Sequence, residues 1–438
     1  GVDDVDSRMA SETSDDRHVV TVFLRDAGEV LLLRRSDSVG TYAEKWGAVS
    51  GYAEGDPEAA ARWEIAEETA LGDAVTFVRR GVPLAFTDDD LSVRWVVHPF
   101  LFDVSDRDVD PNEEVAETAW VAPPEIRRRE TVPMLWEAYD RVRPTVHTLE
   151  DDTEHGSAWL SLRALEVLRD EAAVAGDEAA AWDVLVSVAT DLLDARPSMT
   201  ALSNRVNRAM SEADGRAVAV ERAAHDGIGR ALDADRQASE SAAERVAGET
   251  VLTLSRSGTV ERALSGETGV GRPAHVYIAE SRPDREGVGV AERLARAGVD
   301  VTLVTDAAVA HVLSGALATE VDRVVVGADT VLPDGRVLNK TGTRGAAIAA
   351  ATESVPVEVV TATDKVATAE TVTGEEGPPE GVYDGDADVA VANPTFDVTP
   401  AVFVDSVVTE RGVLDVGAVA TVAEEFRALA AWRGEERA

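Results

Sequence analysis

Cysteine is absent from the chain. That excludes disulfides, thiolate metal sites and a cysteine nucleophile. Lysine is almost absent as well: Lys45, Lys340 and Lys365 are the only ones, and every other basic side chain is arginine. No apolar run reaches the roughly 18 residues of a membrane-spanning helix, so none is expected. The opening residues, GVDDVDSRMASETSDD, are acidic and hold no apolar stretch of the kind a signal peptide needs. Residues 1–17 are therefore expected to form a disordered tail. A cytoplasmic location fits these absences.

Acid is what the chain has in excess. Asp and Glu number 82 against 42 Lys and Arg, a formal net charge of −40. The acids are spread along the whole chain rather than gathered in a tail. Dispersed carboxylates keep a surface hydrated where molar salt screens their repulsion, so the composition suits a halophile's cytoplasm. It excludes general nucleic-acid binding, which needs a basic footprint. At 438 residues, 45% of them hydrophobic, the natural expectation is two domains or three sub-domains.

Pattern divides the chain accordingly. Strands are expected at His18–Leu24 and Glu29–Arg35, joined by a turn at Gly28, then a Trp46–Gly51 segment and a helix from Pro57 to Leu71. Pro57 suits a first helical turn and Asp56 its N-cap. Strands at Val75–Arg79, Val93–Phe102 and Glu117–Val121 and a helix over Pro133–Val142 complete an α+β module at 18–145. The polar stretch Arg143–Glu154 reads as a linker. A helical sub-domain at 146–250 follows. After it, strands at Val251–Leu254, His275–Glu280, Val301–Thr305, Arg323–Gly327 and Val357–Thr361 alternate with helix patterns. That alternation predicts a Rossmann-like α/β parallel-sheet sub-domain at 251–438. Gly374–Asp388, rich in Gly, Pro and acids, reads as a surface loop.

Glu64, Glu67 and Glu68 stand at i, i+3 and i+4 of the first predicted helix, so they share one face. Like charges so placed repel, and a divalent cation relieves them. Three hard oxygen ligands suit Mg²⁺ or Mn²⁺, which can bridge pyrophosphate oxygens. Glycines at Gly51 and Gly55, then E-I-A-E-E-T-A-L, resemble the Nudix box. Trp46–Gly47 and Ala119–Val121 fit the same family over about residues 18–145. The resemblance implies metal ligation by Glu64, Glu67 and Glu68, with Glu113 or Glu114 as a further acid. Three positions depart from the family pattern. Trp63 stands where the family has arginine, with Arg62 one position earlier. The loop into the helix is about two residues short, with Asp56 near the usual outer glutamate. Ala70 replaces the closing glycine.

Four strings stand out in the second half: T-L-S-R-S-G-T-V (Thr253–Val260), E-S-R-P (Glu280–Pro283), the run Val326–Thr343 containing G-A-D and N-K-T-G-T, and N-P-T-F-D-V-T-P (Asn393–Pro400). Most begin near the C-terminal end of a predicted strand, where open α/β sheets place ligands. Ser, Thr, Gly and Lys in such loops suit phosphate. Together with R-P-S-M at Arg196–Met199 they resemble the initiation factor 2B alpha/beta/delta-type superfamily over about residues 150–435. That superfamily includes methylthioribose-1-phosphate isomerase and archaeal ribose-1,5-bisphosphate isomerase. The resemblance implies that Asp329 is a catalytic acid/base. It implies that His155, Gly156, Ser157, Arg196, Ser257, Gly258, Thr259, Asn339, Lys340 and Lys365 bind substrate. It also implies homo-oligomerisation through this module. Two of the three surviving lysines, Lys340 and Lys365, are among these implied binding residues, as expected where a compact ammonium cannot be exchanged for a guanidinium. Ser255 occupies the place of the isomerases' catalytic cysteine, and the sequence shows no base to activate it.

The leading expectation is a Mg²⁺-dependent Nudix hydrolase of a nucleoside-diphosphate-linked substrate, fused to a module that binds a nucleotide or phosphorylated ribose. The alternatives are a ribose-1,5-bisphosphate isomerase in nucleotide salvage and a non-catalytic regulator of the initiation-factor type.

Overall fold

The computed structural model describes residues 16–72 and 74–434. Most of the expected tail therefore lies outside the described residues, and Arg17 already opens a strand. The chain divides after Pro144 into two compact units.

The first unit holds β1 (Arg17–Asp26), β2 (Glu29–Arg35), β3 (Trp46–Gly47), β4 (Val49–Tyr52), α1 (Pro57–Thr69), β5 (Val75–Arg80), β6 (Leu84–Asp88), β7 (Val93–Val104), β8 (Val115–Val121) and α2 (Leu135–Asp140). β1 and β2 form a two-residue hairpin through Ala27 and Gly28, both at positive φ, as the right-handed twist of a hairpin prefers. β1 lies centrally and pairs with β7 in parallel and with β2 and β4 antiparallel. Side chains alternate across this sheet. Val20, Val22 and Leu24 pack with Ala61 and Ile65 of α1, while Phe23 packs with Leu135, Ala138 and Tyr139 of α2. Two cores thus sandwich one sheet.

Helix α1 starts where the sequence says it should. The Asp56 carboxylate accepts from Glu58 N–H and Pro57 fills the first turn. Its buried stripe is Ala61, Glu64, Ile65, Glu68 and Thr69. Two carboxylates are therefore built into the face that turns toward the sheet. The helix ends at Ala70, held in the left-handed conformation at φ 60° with its N–H on the Ala66 carbonyl.

The second unit opens with helices α3 (Val146–Glu150), α4 (Ser157–Ala175), α5 (Ala181–Ala195), α6 (Thr200–Ala213) and α7 (Ala217–Val246). The expected linker is in part α3. Thr145 and Thr148 form a capping box and Leu149 is buried against the helical core, so polar composition hid a one-turn anchor. There follow β9 (Thr250–Leu254), α8 (Gly258–Ser265), β10 (His275–Ala279), α9 (Glu286–Arg296), β11 (Val301–Val304), α10 (Val309–Leu313) and β12 (Arg323–Val326). Next come β13 (Thr330–Val331), β14 (Val337–Lys340), α11 (Thr343–Glu353), β15 (Val357–Val360), β16 (Phe396–Thr399), β17 (Ser406–Thr409), β18 (Gly412–Leu414) and α12 (Val416–Leu429).

The main sheet runs β11-β10-β9-β12-β15-β17-β18, parallel except for β18. From β9 the strand order steps one way to β10 and β11, and from β12 the other way to β15 and β17. The seam between β9 and β12 is therefore the topological switch point, where the loops leave a crevice at the strand ends. A small antiparallel sheet, β13-β14-β16, joins the two strands that follow β12 to one that follows β15. The sequence pattern did not show it, because two- and four-residue strands carry too little periodicity.

An alanine in the left-handed region costs roughly 1–2 kcal/mol, part of which glycine gives back in unfolded-chain entropy. Ala70→Gly is expected to raise the stability of the first unit by about 0.5–1 kcal/mol, seen as a higher urea midpoint at unchanged slope.

Candidate functional sites

The first site is a cavity of about 300 Å³ in the first unit, lined among others by Glu64, Glu67 and Glu68 of α1, Ser50 and Gly51 of β4, Arg35 and Glu114. Its geometry follows from the closeness of α1 to β4. The Glu64 carboxylate lies where a Cβ on residue 51 would be, so only glycine leaves room for it. The Glu68 carboxylate accepts from Ser50 N–H at 3.2 Å. Both groups are nearly buried, and both are pushed upward in pKa. Burial, then the charges of Glu67 and Glu114, lifts Glu64 to about 7. Burial, reinforced by Glu64 and Glu114, lifts Glu68 to about 8, against the opposing pull of Ser50 N–H and Arg35. Of the two candidates for a further acid, Glu114 lines this cavity and Glu113 does not.

Where the family pattern has an arginine, Trp63 points away and is 61% exposed. Arg62 is not in the cavity either: it pairs with Glu58 at 3.0 Å and lies over the Phe102 ring. The cation beside the carboxylates is instead Arg35 at the end of β2, whose Nε is fixed on the Thr41 carbonyl at 3.0 Å. Sequence spacing could not reveal Arg35, because strand pairing brings it there.

The donor set fits a divalent metal. Hard carboxylate oxygens are gathered with less positive charge than they need, and a glycine cradle admits one of them. Among the described residues no three acidic or histidine groups close into a ready-made cage. An ion here would keep water in part of its shell, as Mg²⁺ does.

The second site is a cavity of about 470 Å³ in the second unit. It gathers His155, Gly156 and Ser157 at the start of α4, Ser255 after β9, and Ser257, Gly258 and Thr259 at the start of α8. Asp329 after β12, Asn339 and Lys340 of β14, and Lys365 complete it. These loops meet at the switch point between β9 and β12. Gly327 is required there, since a Cβ would come within 2.7 Å of the Ser257 hydroxyl. Lys365 donates to the Ala328 carbonyl at 2.6 Å, and its neighbour Asp364 is clamped by Arg205 at 2.9 Å. Burial raises the pKa of Asp329; Lys365 and Lys340 oppose the rise, and Glu286 and Glu375 add to it.

Two expectations need correction. Arg196 is not among the residues lining this cavity. Its guanidinium donates to the carbonyls of Leu149, Glu150 and Asp152, so it holds the chain between α3 and α4 in place. Ser255 does have an acceptor. Its hydroxyl donates to the Glu286 carboxylate at 2.7 Å, and its backbone is held at φ 62° with its N–H on Ser281 Oγ. Lys340 lies 3.5 Å from the same carboxylate. Glu286 was not legible in the sequence, because it sits at the start of α9 and reaches Ser255 across neighbouring strands.

The carboxylate cavity predicts a pH signature. Glu64 and Glu68 bind protons more tightly folded than unfolded, where 4.5 is the usual value. Their contribution to stability therefore falls as pH rises from about 4.5 through about 7 and 8. In chelator, wild type is expected to lose more stability between pH 5 and pH 9 than Glu68→Gln does, and saturating Mg²⁺ should shrink that difference. Parallel curves for the two proteins would contradict this.

Comparison with known proteins matches the same two units. The NUDIX domain model matches residues 15–142, and the model of the Initiation factor 2 subunit family matches residues 153–416. The ribose 1,5-bisphosphate isomerase of Haloferax volcanii is 34% identical over 294 residues, covering 62% of this chain and 90% of that protein. The protein of the same name from Archaeoglobus fulgidus is 32% identical over 274 residues, covering 59% and 85%. Among solved structures, 5-methylthioribose 1-phosphate isomerase from Pyrococcus horikoshii covers 72% of this chain and 90% of its own at 20% identity, with a TM-score of 0.53. The translation initiation factor eIF-2B of the same organism covers 61% and 94% at 24% identity, with a TM-score of 0.52. These two share the fold. The chain belongs to the Initiation factor 2 subunit family, and carries a NUDIX domain ahead of that module.

Proposed function

We propose that the first unit is a metal-dependent hydrolase of a nucleoside-diphosphate-linked substrate. The observation that carries this reading is the pair Glu64 and Glu68, nearly buried against Gly51 and Ser50, with too little positive charge beside them. Glu64, Glu67, Glu68 and Glu114 would hold Mg²⁺ or Mn²⁺. Such an ion supplies charge neutralisation at a pyrophosphate and makes phosphorus easier to attack. Arg35 adds a fixed cation for a phosphate oxygen.

The second unit is read as the site of a phosphorylated ribose or nucleotide. The N-termini of α4 and α8, the hydroxyls of Ser257 and Thr259, and the ammonium groups of Lys340 and Lys365 offer donors to phosphate from several sides. A second reading of this site is isomerisation of ribose 1,5-bisphosphate, favoured by the Ser255–Glu286 hydrogen bond. An aldose–ketose exchange must take a proton from one carbon and return it to the next. Asp329, with its raised pKa, can carry it. Glu286 can take the Ser255 hydroxyl proton as Ser255 Oγ takes one from a sugar hydroxyl, and the relay can run back the same way. The relatives named as ribose 1,5-bisphosphate isomerases support this reading. Assembly into a homo-oligomer through the second unit belongs to the same proposal.

Two assays separate these activities. Against a panel of nucleoside-diphosphate derivatives in molar KCl, wild type with Mg²⁺ is expected to cleave at least one. Glu67→Gln or Glu68→Gln should lower kcat at least 100-fold. No cleavage across the panel would remove the hydrolase reading. Ribose 1,5-bisphosphate is expected to turn over in wild type and not in Asp329→Asn. Binding of that sugar without turnover would leave the second unit as a binding module.

A further inference from the structure

Lys365 ends a short helical turn, Thr363–Lys365, that stands between two cavities. Lys365 lines the second site, together with Asp329 and Asn339. Ala367, two residues on, lines a smaller cavity of about 180 Å³ behind it. With open space on two sides, the turn leans on hydrogen bonds. Helix α6 supplies them. The Asn204 side chain is buried, and its amide nitrogen donates to the Asp364 carbonyl and to the Val366 carbonyl, each at 2.8 Å. An amide nitrogen has two hydrogens, so both are spoken for. The residue between the two anchored carbonyls is Lys365. Beside Asn204, Arg205 holds the Asp364 carboxylate at 2.9 Å. On the other flank, the Thr363 N–H and hydroxyl donate to Glu410.

The chemistry of the clamp is specific to asparagine. Aspartate offers no hydrogen to either carbonyl, serine offers one, and glutamine carries its pair on a longer arm. What the clamp serves is an ammonium with three hydrogens. Lys365 gives one of them to the Ala328 carbonyl at 2.6 Å, which leaves two for a ligand. Its charge also opposes the upward push of burial on Asp329. A lysine side chain is a flexible four-carbon stem, so the reach of its ammonium depends on where its backbone is held. Fixing that backbone beforehand takes an ordering cost out of binding.

We propose that Asn204 is a positioning residue for the second site: its amide holds the backbone on both sides of Lys365 and so places that ammonium for a phosphate oxygen. The inference rests on the reading of that site as one for a phosphorylated ribose. Asn204 is not among the residues that line the second cavity, so it acts through Lys365. Positioning differs from general support of the fold in two ways. Loss of the clamp frees Lys365 and leaves Lys340, on β14, where it is. Its cost to binding exists only while Lys365 is present.

Amine labelling of the full chain tests the first difference without any ligand. The chain has only Lys45, Lys340 and Lys365, so acetic anhydride followed by mass spectrometry resolves each. In Asn204→Ala, Lys365 is expected to label several-fold faster than in wild type, with Lys340 and Lys45 unchanged. An unchanged rate at Lys365 overturns the proposal, and so does an equal acceleration of Lys340. Calorimetric titration with ribose 1,5-bisphosphate in molar KCl tests the second. Asn204→Ala is expected to bind about tenfold more weakly, the scale of one misplaced charge-assisted hydrogen bond. Added to Lys365→Met, the same change should cost nothing further. Wild-type affinity in Asn204→Ala overturns the proposal, as does a full additional loss in the double variant. Asn204→Ser, which keeps a single donor, carries both measurements if the alanine protein does not fold. A wild type that binds no ribose 1,5-bisphosphate removes the sugar-phosphate reading, and the labelling rates then decide for or against the clamp on their own.

Discussion

A carboxylate that leaves water needs positive charge beside it, and this chain has about half as many basic as acidic side chains. Where the requirement is met, the structure is held. Arg25, almost wholly buried, forks onto Asp103 across β1 and β7. Arg205 clamps Asp364 and so fixes the loop that carries Lys365. Arg245 and Arg323 both reach Glu358, buried in the middle of the second sheet. Where it is only partly met, chemistry is concentrated. Among the described residues Arg35 eases Glu68, yet burial still pushes Glu64 up to about 7 and Glu68 up to about 8. Asp329 has two lysines nearby and is still pushed upward by burial.

Backbone geometry makes those unmet sites possible. Gly51 lets a helix carboxylate approach a strand closely, and Gly327 lets the Ser257 loop close over the end of β12. In the second unit the reversal of strand order at β9 and β12 sets Ser255 and Asp329 at the ends of adjacent strands. Both sites therefore depend on parallel or edge strands that finish where polar groups can reach a ligand.

Local spacing was legible in the sequence. The i, i+3, i+4 glutamates, the Asp56–Pro57 start of α1 and the alternation of strands and helices after residue 250 all appear in the structure, because each is set within one element. So were the loops around Asp329 and Ser257, since they carry distinctive strings. What sequence could not show is what tertiary pairing delivers: Arg35 to Glu68, Trp95 to the neighbourhood of Tyr42, and Glu286 to Ser255. Arg196 misled because an arginine in a phosphate-type motif can equally serve backbone carbonyls, and only the fold decides between them. The capping box of α3 escaped because one polar helical turn looks like a linker.

The first cavity stands or falls as a reactive site on whether the carboxylates around Gly51 hold a divalent ion. The most direct measurement is anomalous diffraction from crystals of the full chain soaked in Mn²⁺. A single strong peak is expected in the first cavity, within bonding distance of oxygens from Glu64, Glu67, Glu68 or Glu114. A cavity without a peak at saturating Mn²⁺, or a sole peak elsewhere on this acidic surface, would contradict the account.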